Sequence, residues 1–248
     1  MKLLSIATLL FTAALALGCG GASTPTPTHR LVGEPSEEGD DDLVPLDLGS
    51  RMLPPLPATV HETDEPVREA LRLSREALLP ERPVLADDAS AEETARFMRE
   101  SFQAWIVTRA RGIQQARNAL GALEHGEPDE YVLASALVGT LFSMLAAEIE
   151  AMPLPRVVED DHDERILVRE ALLELAAPLH QRALDAFGAC ASAASGAADP
   201  TLDPWASYCD DQTARTEEGP HPVDRRPAPS TASATSASEG SSTEAASP

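Results

Sequence analysis

The chain has 248 residues, 43% of them hydrophobic and only 4% aromatic, with 41 acidic residues against 19 basic ones and a formal net charge of −22. That charge repels phosphate backbones, which argues against nucleic acid as a partner, and it disfavours anionic lipid headgroups. No HExxH, GxSxG, P-loop or dinucleotide fingerprint is present, so the common hydrolase and nucleotide-dependent classes have no sequence support.

At the start, Met1-Lys2 supplies a positive n-region and Leu3 to Leu17 an uncharged, mostly apolar h-region, followed by Gly18 and Cys19. This is secretory-signal anatomy, too short to span a bilayer comfortably. With the cysteine directly after Ala16-Leu17-Gly18, it resembles a bacterial lipoprotein signal. The resemblance implies cleavage after residue 18, lipid on Cys19 and, from Gly20 in the next position, sorting to the outer membrane facing the periplasm, with surface exposure as a variant. Ordinary secretory cleavage is the alternative. Removing residues 1–18 deletes Lys2, the only lysine, so the remaining 18 basic residues are all Arg and the charge becomes −23. Several acyl chains would make such attachment stable, whereas one alone is marginal.

Residues 19–60 carry Pro, Gly, Ser and Thr and the acidic run Glu37, Glu38, Asp40, Asp41 and Asp42, without a helical period. They read as an extended charged tether, with the more apolar Leu43 to Val60 strapping along the folded domain. Residues 61–215 are long enough for one core and read as helix almost throughout. Asp64 is placed to cap a helix over Glu65–Leu79, stopped by Pro80 and Pro83. Ser90 with Glu93 predicts a capping box for a second helix running to about Glu124, where His125 and Gly126 end it.

Pro128 at a first helical position opens a third helix to about Met152, closed by Pro153 and Pro155. Tyr131 to Ala147 are seventeen uncharged residues flanked by acids, which reads as a buried central helix rather than a membrane span. Ser135, Gly139, Ser143 and Ala147 recur every fourth residue, a small face suited to close helix packing. A fourth helical region covers about Asp163–Ala194, and Pro178 inside it predicts a kink or two abutting helices. Asp203-Pro204 starts a short last helix, and residues 216–248, rich in Ser, Ala, Thr, Pro and Glu, read as a disordered tail.

With Cys19 committed to lipid, Cys190 and Cys209 form an even pair, read as a disulfide in an oxidising periplasm; free thiols or half a metal site are the alternatives. Glu159-Asp160-Asp161-His162-Asp163-Glu164 is the sharpest chemical cluster. Glu159, Asp161, His162 and Asp163 could hold a divalent cation, although no EF-hand register is present, and an acidic loop feeding a helix N-terminus explains the same residues. Trp105 and Arg109, one helical turn apart, are candidates for a cation–π partner surface, or else a core Trp with Arg at its edge. His180 on an apolar helix reads as structural, His61, His29 and His221 suggest nothing specific, and Glu148 with Glu150 is a bare acid pair.

Two segments, Ala183 to Cys190 and Trp205 to Cys209, together with the Met152-Pro153-Leu154-Pro155 helix stop, resemble the C-terminal part of helical, TPR-like bacterial lipoproteins over about 150–212. The resemblance implies a helical interaction scaffold. No 34-residue repeat is visible. The expected fold is therefore an all-α, elongated antiparallel bundle of four long helical segments plus a short C-terminal helix, with a TPR-like solenoid second. The expected function is a lipid-anchored scaffold or binding module for another envelope protein, a basic one by charge, with no catalytic residues. A metal-binding or enzymatic lipoprotein using the His162 loop, and a small-ligand carrier, are the alternatives.

Overall fold

A computed structural model describes residues 45–48, 51–197 and 199–218. The signal segment 1–18, Cys19, most of the tether, His29, His221 and the tail beyond Glu218 lie outside the described residues. The described chain is mostly helical, an all-α bundle with one small two-stranded sheet.

The sheet comes first. Strands β1 (Pro45–Asp47) and β2 (Met52–Pro55) pair antiparallel, Leu46 opposite Leu53. Leu46, Leu48 and Leu53 are buried, as is Val60 beyond them. A tether reading missed the strands because their seven residues include three prolines and only a short alternation.

Helix α1 spans Glu65–Leu78 and buries Val67, Ala70, Leu71, Ser74 and Ala77, one stripe at helical spacing. Its outer face is laced by Arg72, which donates to Glu69 and to Glu76 at 2.5–2.8 Å. Those groups are about half exposed, so the lacing adds little stability. Ser90 then caps α2 (Ala91–Phe97) with the predicted box: its backbone N–H donates to Glu93 at 2.9 Å, and its hydroxyl accepts from the Glu93 N–H at 3.3 Å. A wide π-turn, Met98–Phe102, joins α2 to α3 (Gln103–Leu120). The helical path ends four residues short of the expected Glu124. Residues 121–126 form turns, so the exposed His125 is not in a last helical turn.

Helix α4 (Pro128–Glu150) is the centre of the molecule, buried over sixteen of its residues. It is long and apolar enough to cross a membrane, at a mean hydropathy of 1.9, but 83% of that window is buried inside the protein. A short turn of helix, α5 (Arg156–Glu159), leads into α6 (His162–Gly196), which runs through Pro178 unbroken. Pro178 and Glu174 lie on the exposed side, so the carbonyl that proline leaves without a helical partner is at the solvent face rather than in the core. A 3₁₀ turn (Pro200–Leu202) precedes α7 (Asp203–Glu218), which extends three residues into the segment expected to be disordered.

Two antiparallel pairings organise these helices. Gly139 of α4 meets Phe187 of α6, while Glu150 meets His180, so α6 descends as α4 rises. Likewise Gly112 of α3 packs on Ala77 of α1, and Trp105 reaches back to Pro80. The small face legible in the sequence has its reason at Gly139. A Cβ there would lie 2.7 Å from the Phe187 ring, so the two helices approach through a glycine. Helix α7 lies on α6 and is bonded to it by Cys190–Cys209, with an S–S distance of 2.05 Å. Phe187, Tyr208 and Trp205 form successive edge-on ring contacts beside that bond. The Tyr208 hydroxyl shares a 3.0 Å hydrogen bond with Thr140, and burial pushes its pKa above the ordinary phenol value.

Candidate binding surface

Helix α4 has no basic residue in its last turn, so its terminal carbonyls need partners from elsewhere. Two arginines supply them. Arg82, between Pro80 and Pro83, donates to the carbonyls of Glu148 at 3.1 Å and Ala151 at 3.0 Å. Arg169 of α6 donates to Glu150 at 3.2 Å and Met152 at 2.9 Å, and reaches the Glu159 carboxylate at 3.4 Å. Positive charge at a helix C-terminus is favourable, so these two side chains close the end of the central helix.

Arg109 meets the same turn from the other side. It is fully buried, donates to the carbonyl of Ala77, and holds both Glu148 carboxylate oxygens at 2.8 Å. One guanidinium thus ties α1, α3 and α4 together, one terminal nitrogen serving the Ala77 carbonyl and the other both oxygens of Glu148 in a charge-assisted contact. Its Nε is buried without a hydrogen-bond partner. Trp105 is also buried, stacked on Phe102 at 5.6 Å, with its indole N–H on the Pro80 carbonyl at 3.1 Å. The expected Trp105–Arg109 partner surface is therefore corrected. Both side chains face inward because α3 turns that stripe against α1, and no cation–π contact joins them. Among the described residues, the cation–π contact that does form is Arg182 over Phe142, at 5.4 Å.

The metal reading of the acidic loop is corrected as well. Asp161 accepts the backbone N–H groups of Asp163 and Glu164 at 3.1 Å and so caps α6. His162 Nδ1 accepts from Arg165 at 3.1 Å, Glu159 pairs with Arg169, and Asp163 sits exposed in the first helical turn. Three of the four side chains are spent on separate neighbours, and among the described residues no group of three or more His, Cys, Asp or Glu is gathered to hold a metal. Burial, then the charge of Asp161, holds the Glu164 carboxyl above the usual carboxylate range.

Glu148 and Glu150 are likewise divided. Glu150 meets His180 Nε2 at 2.7 Å, leaving His180 Nδ1 buried without a partner, while Glu148 belongs to Arg109.

What the arrangement leaves open is a surface. A cleft of about 430 Å³ lies between the end of α1, the Leu79–Arg82 loop and the last turns of α4, walled by Leu79, Pro80, Ala147 and Ala151. Glu148 and Arg82 stand at its polar side. Leu79 is 72% exposed, and nearby in sequence Val84 is 84% exposed, high values for branched apolar side chains. An enclosed apolar cavity between α2 and the Met152–Pro155 segment holds only about 10 Å³, room for about one water rather than a carried ligand. Reasoning from sequence missed Arg82 and Arg169, since nothing in spacing separates a capping arginine from a solvated one. The signal for Arg82 was its place between helix-stopping prolines, where the loop has to pass the end of another helix.

Set against known proteins, the chain matches no family model, no curated sequence and no solved structure.

Proposed function

We propose that the protein is a lipid-anchored binding module of the bacterial cell envelope, held at the outer membrane by Cys19 and presenting its helical domain to the periplasm. The observation that carries the reading is the run Met1 to Cys19, a lipoprotein-type signal with Gly18 before its cysteine, followed by a disulfide-bearing helical domain. The resemblance of residues 150–212 to helical lipoproteins supports it. So does the way the domain's candidate polar groups serve helix ends and helix junctions, which is the chemistry of a scaffold.

The exposed Leu79–Val84 segment and its cleft are the docking region in this reading. Net charge near −22 favours a basic partner and makes binding salt-sensitive. The test places a photoreactive amino acid at Leu79 or Val84 of the lipidated protein in intact envelopes, followed by mass spectrometry of captured partners. A photoreactive group is required because no lysine follows Lys2. A reproducible basic partner, captured less at high salt and lost with Cys19→Ser, is the expected result. No capture above a control position on the outer face of α1 would defeat the docking assignment, and failure of Cys19 to take up lipid would defeat the anchor.

A further inference from the structure

The described part of the tether is not free chain. Leu46, Leu48 and Leu53 are nearly inaccessible, and β2 lies against α7. The Trp205 indole N–H donates to the Pro55 carbonyl at 2.8 Å, and Arg51 donates to Gln212 at 3.3 Å. A further hydrogen bond, Arg75 to the Asp47 carbonyl at 3.2 Å, reaches the hairpin from α1. A two-stranded hairpin is marginal alone and takes its stability from what it packs on. Here that is chiefly α7, the last described helix, with its own attachment to α6 made permanent by Cys190–Cys209 four residues after Trp205.

We infer that α7, riveted to α6 by the disulfide, is a clamp that decides whether residues 45–55 belong to the folded domain or to the leash, and that breaking the bridge lengthens the leash. With the clamp closed, the first described fixed point is Pro45. With it open, the next fixed point is Thr59, whose hydroxyl bonds Asp129 of α4, and Val60 beyond it. The fourteen residues from Pro45 to Ala58 add about 50 Å of reach at full extension. Opening requires a dithiol reductant: its two thiols are oxidised to a disulfide, the Cys190–Cys209 bond breaks, and each cysteine sulfur takes up a proton. Both sulfurs are fully buried, so exchange proceeds through fraying of α7 rather than at the closed surface. The consequence for reach rests on the anchored reading of Cys19; the clamp itself does not.

Hydrogen exchange on the full chain, oxidised and after dithiothreitol, tests the clamp. Amides of 45–55 and 203–218 should lose about two orders of magnitude of protection on reduction, while those of 132–149 in α4 keep theirs. Unchanged protection of 45–55 would overturn the inference. If reduction loosens the whole domain, Trp205→Phe decides: it keeps the packing and removes the donor to Pro55, so selective loss at 45–55 supports the clamp and no loss defeats it. Energy transfer between a labelled membrane and the domain separates the two readings. Release of 45–55 without a change in membrane distance would leave the clamp standing and remove the anchor.

Discussion

The two halves of the bundle are held together in opposite ways. Helices α4, α6 and α7 meet mainly through apolar and small side chains, with Arg169 and His180 reaching α4 only at its end: Gly139 admits Phe187, the aromatic ladder continues to Trp205, and a covalent bond closes it. Helices α1 and α3 are one-sided amphipaths, and the joint they make with α4 turns on a single buried cation, Arg109. Close packing without charge tolerates almost no change of volume but is indifferent to pH and salt. A buried ion pair is indifferent to small changes of volume but depends on keeping both partners. The first half is therefore the stable platform, and the second is where the molecule is adjustable, beside the cleft proposed for docking.

The comparison breaks most sharply at Phe187. Phe187→Ala should cost about 3–5 kcal/mol in denaturant unfolding, because the ring is fully buried and Gly139 offers nothing to fill the space. An effect below about 1 kcal/mol would mean the α4–α6 joint is not close-packed. In the other half, Glu148→Gln should cost about 3 kcal/mol by leaving the fully buried Arg109 guanidinium without its counter-charge. Arg109→Met should cost less, since Glu148 borders an open cleft and can be hydrated when its partner is gone. The reverse order in paired urea titrations would show that Arg109 is not the dependent partner.

Smaller effects sharpen the picture at the edge of the α1–α3 half. Ser90→Ala removes the acceptor for the Glu93 N–H and should lower stability by about 1 kcal/mol, with the loss confined by hydrogen exchange to α2. Glu93 gives the smallest effect and a pH signature. The Ser90 backbone N–H and hydroxyl hold its carboxyl below the usual range. A depressed folded-state pKa contributes stability that is present above the unfolded carboxylate value and lost as pH falls through the folded one. Glu93→Gln should thus reduce Tm slightly at pH 7 and match the wild type once the acid limb is passed. A constant difference at all pH values would assign the effect to geometry instead.

These contrasts also explain what could be read in advance. The Ser90–Glu93 box, the Pro128 start and, at Gly139, the small face of α4 follow from local spacing, and each stands in the structure. So does the pairing of Cys190 with Cys209. What spacing could not supply was direction over distance. Trp105 and Arg109 share a helix face in any reading, but only the position of α1 and α4 turns that face inward. The acids of 159–164 are adjacent in sequence, yet the start of α6 and the passage of Arg169 pull them apart onto different partners. The hairpin was hidden because it is built from prolines and held by a tryptophan 150 residues away.

The wide turn at Met98–Phe102 carries a lesson about lineage. Removing one residue from it would restore regular helix from Ala91 to Leu120, and each helical residue accounts for a rotation of 100°. Because the wide turn takes up one residue locally, the segments on either side, from the Ser90 cap to buried Phe97 and from Phe102 through Trp105 and Arg109, would keep the faces they now bury. The turn therefore acts as a splice between two segments that can each be conserved while the count between them changes. A variant with one residue deleted at that point should keep the packing of both α2 and α3.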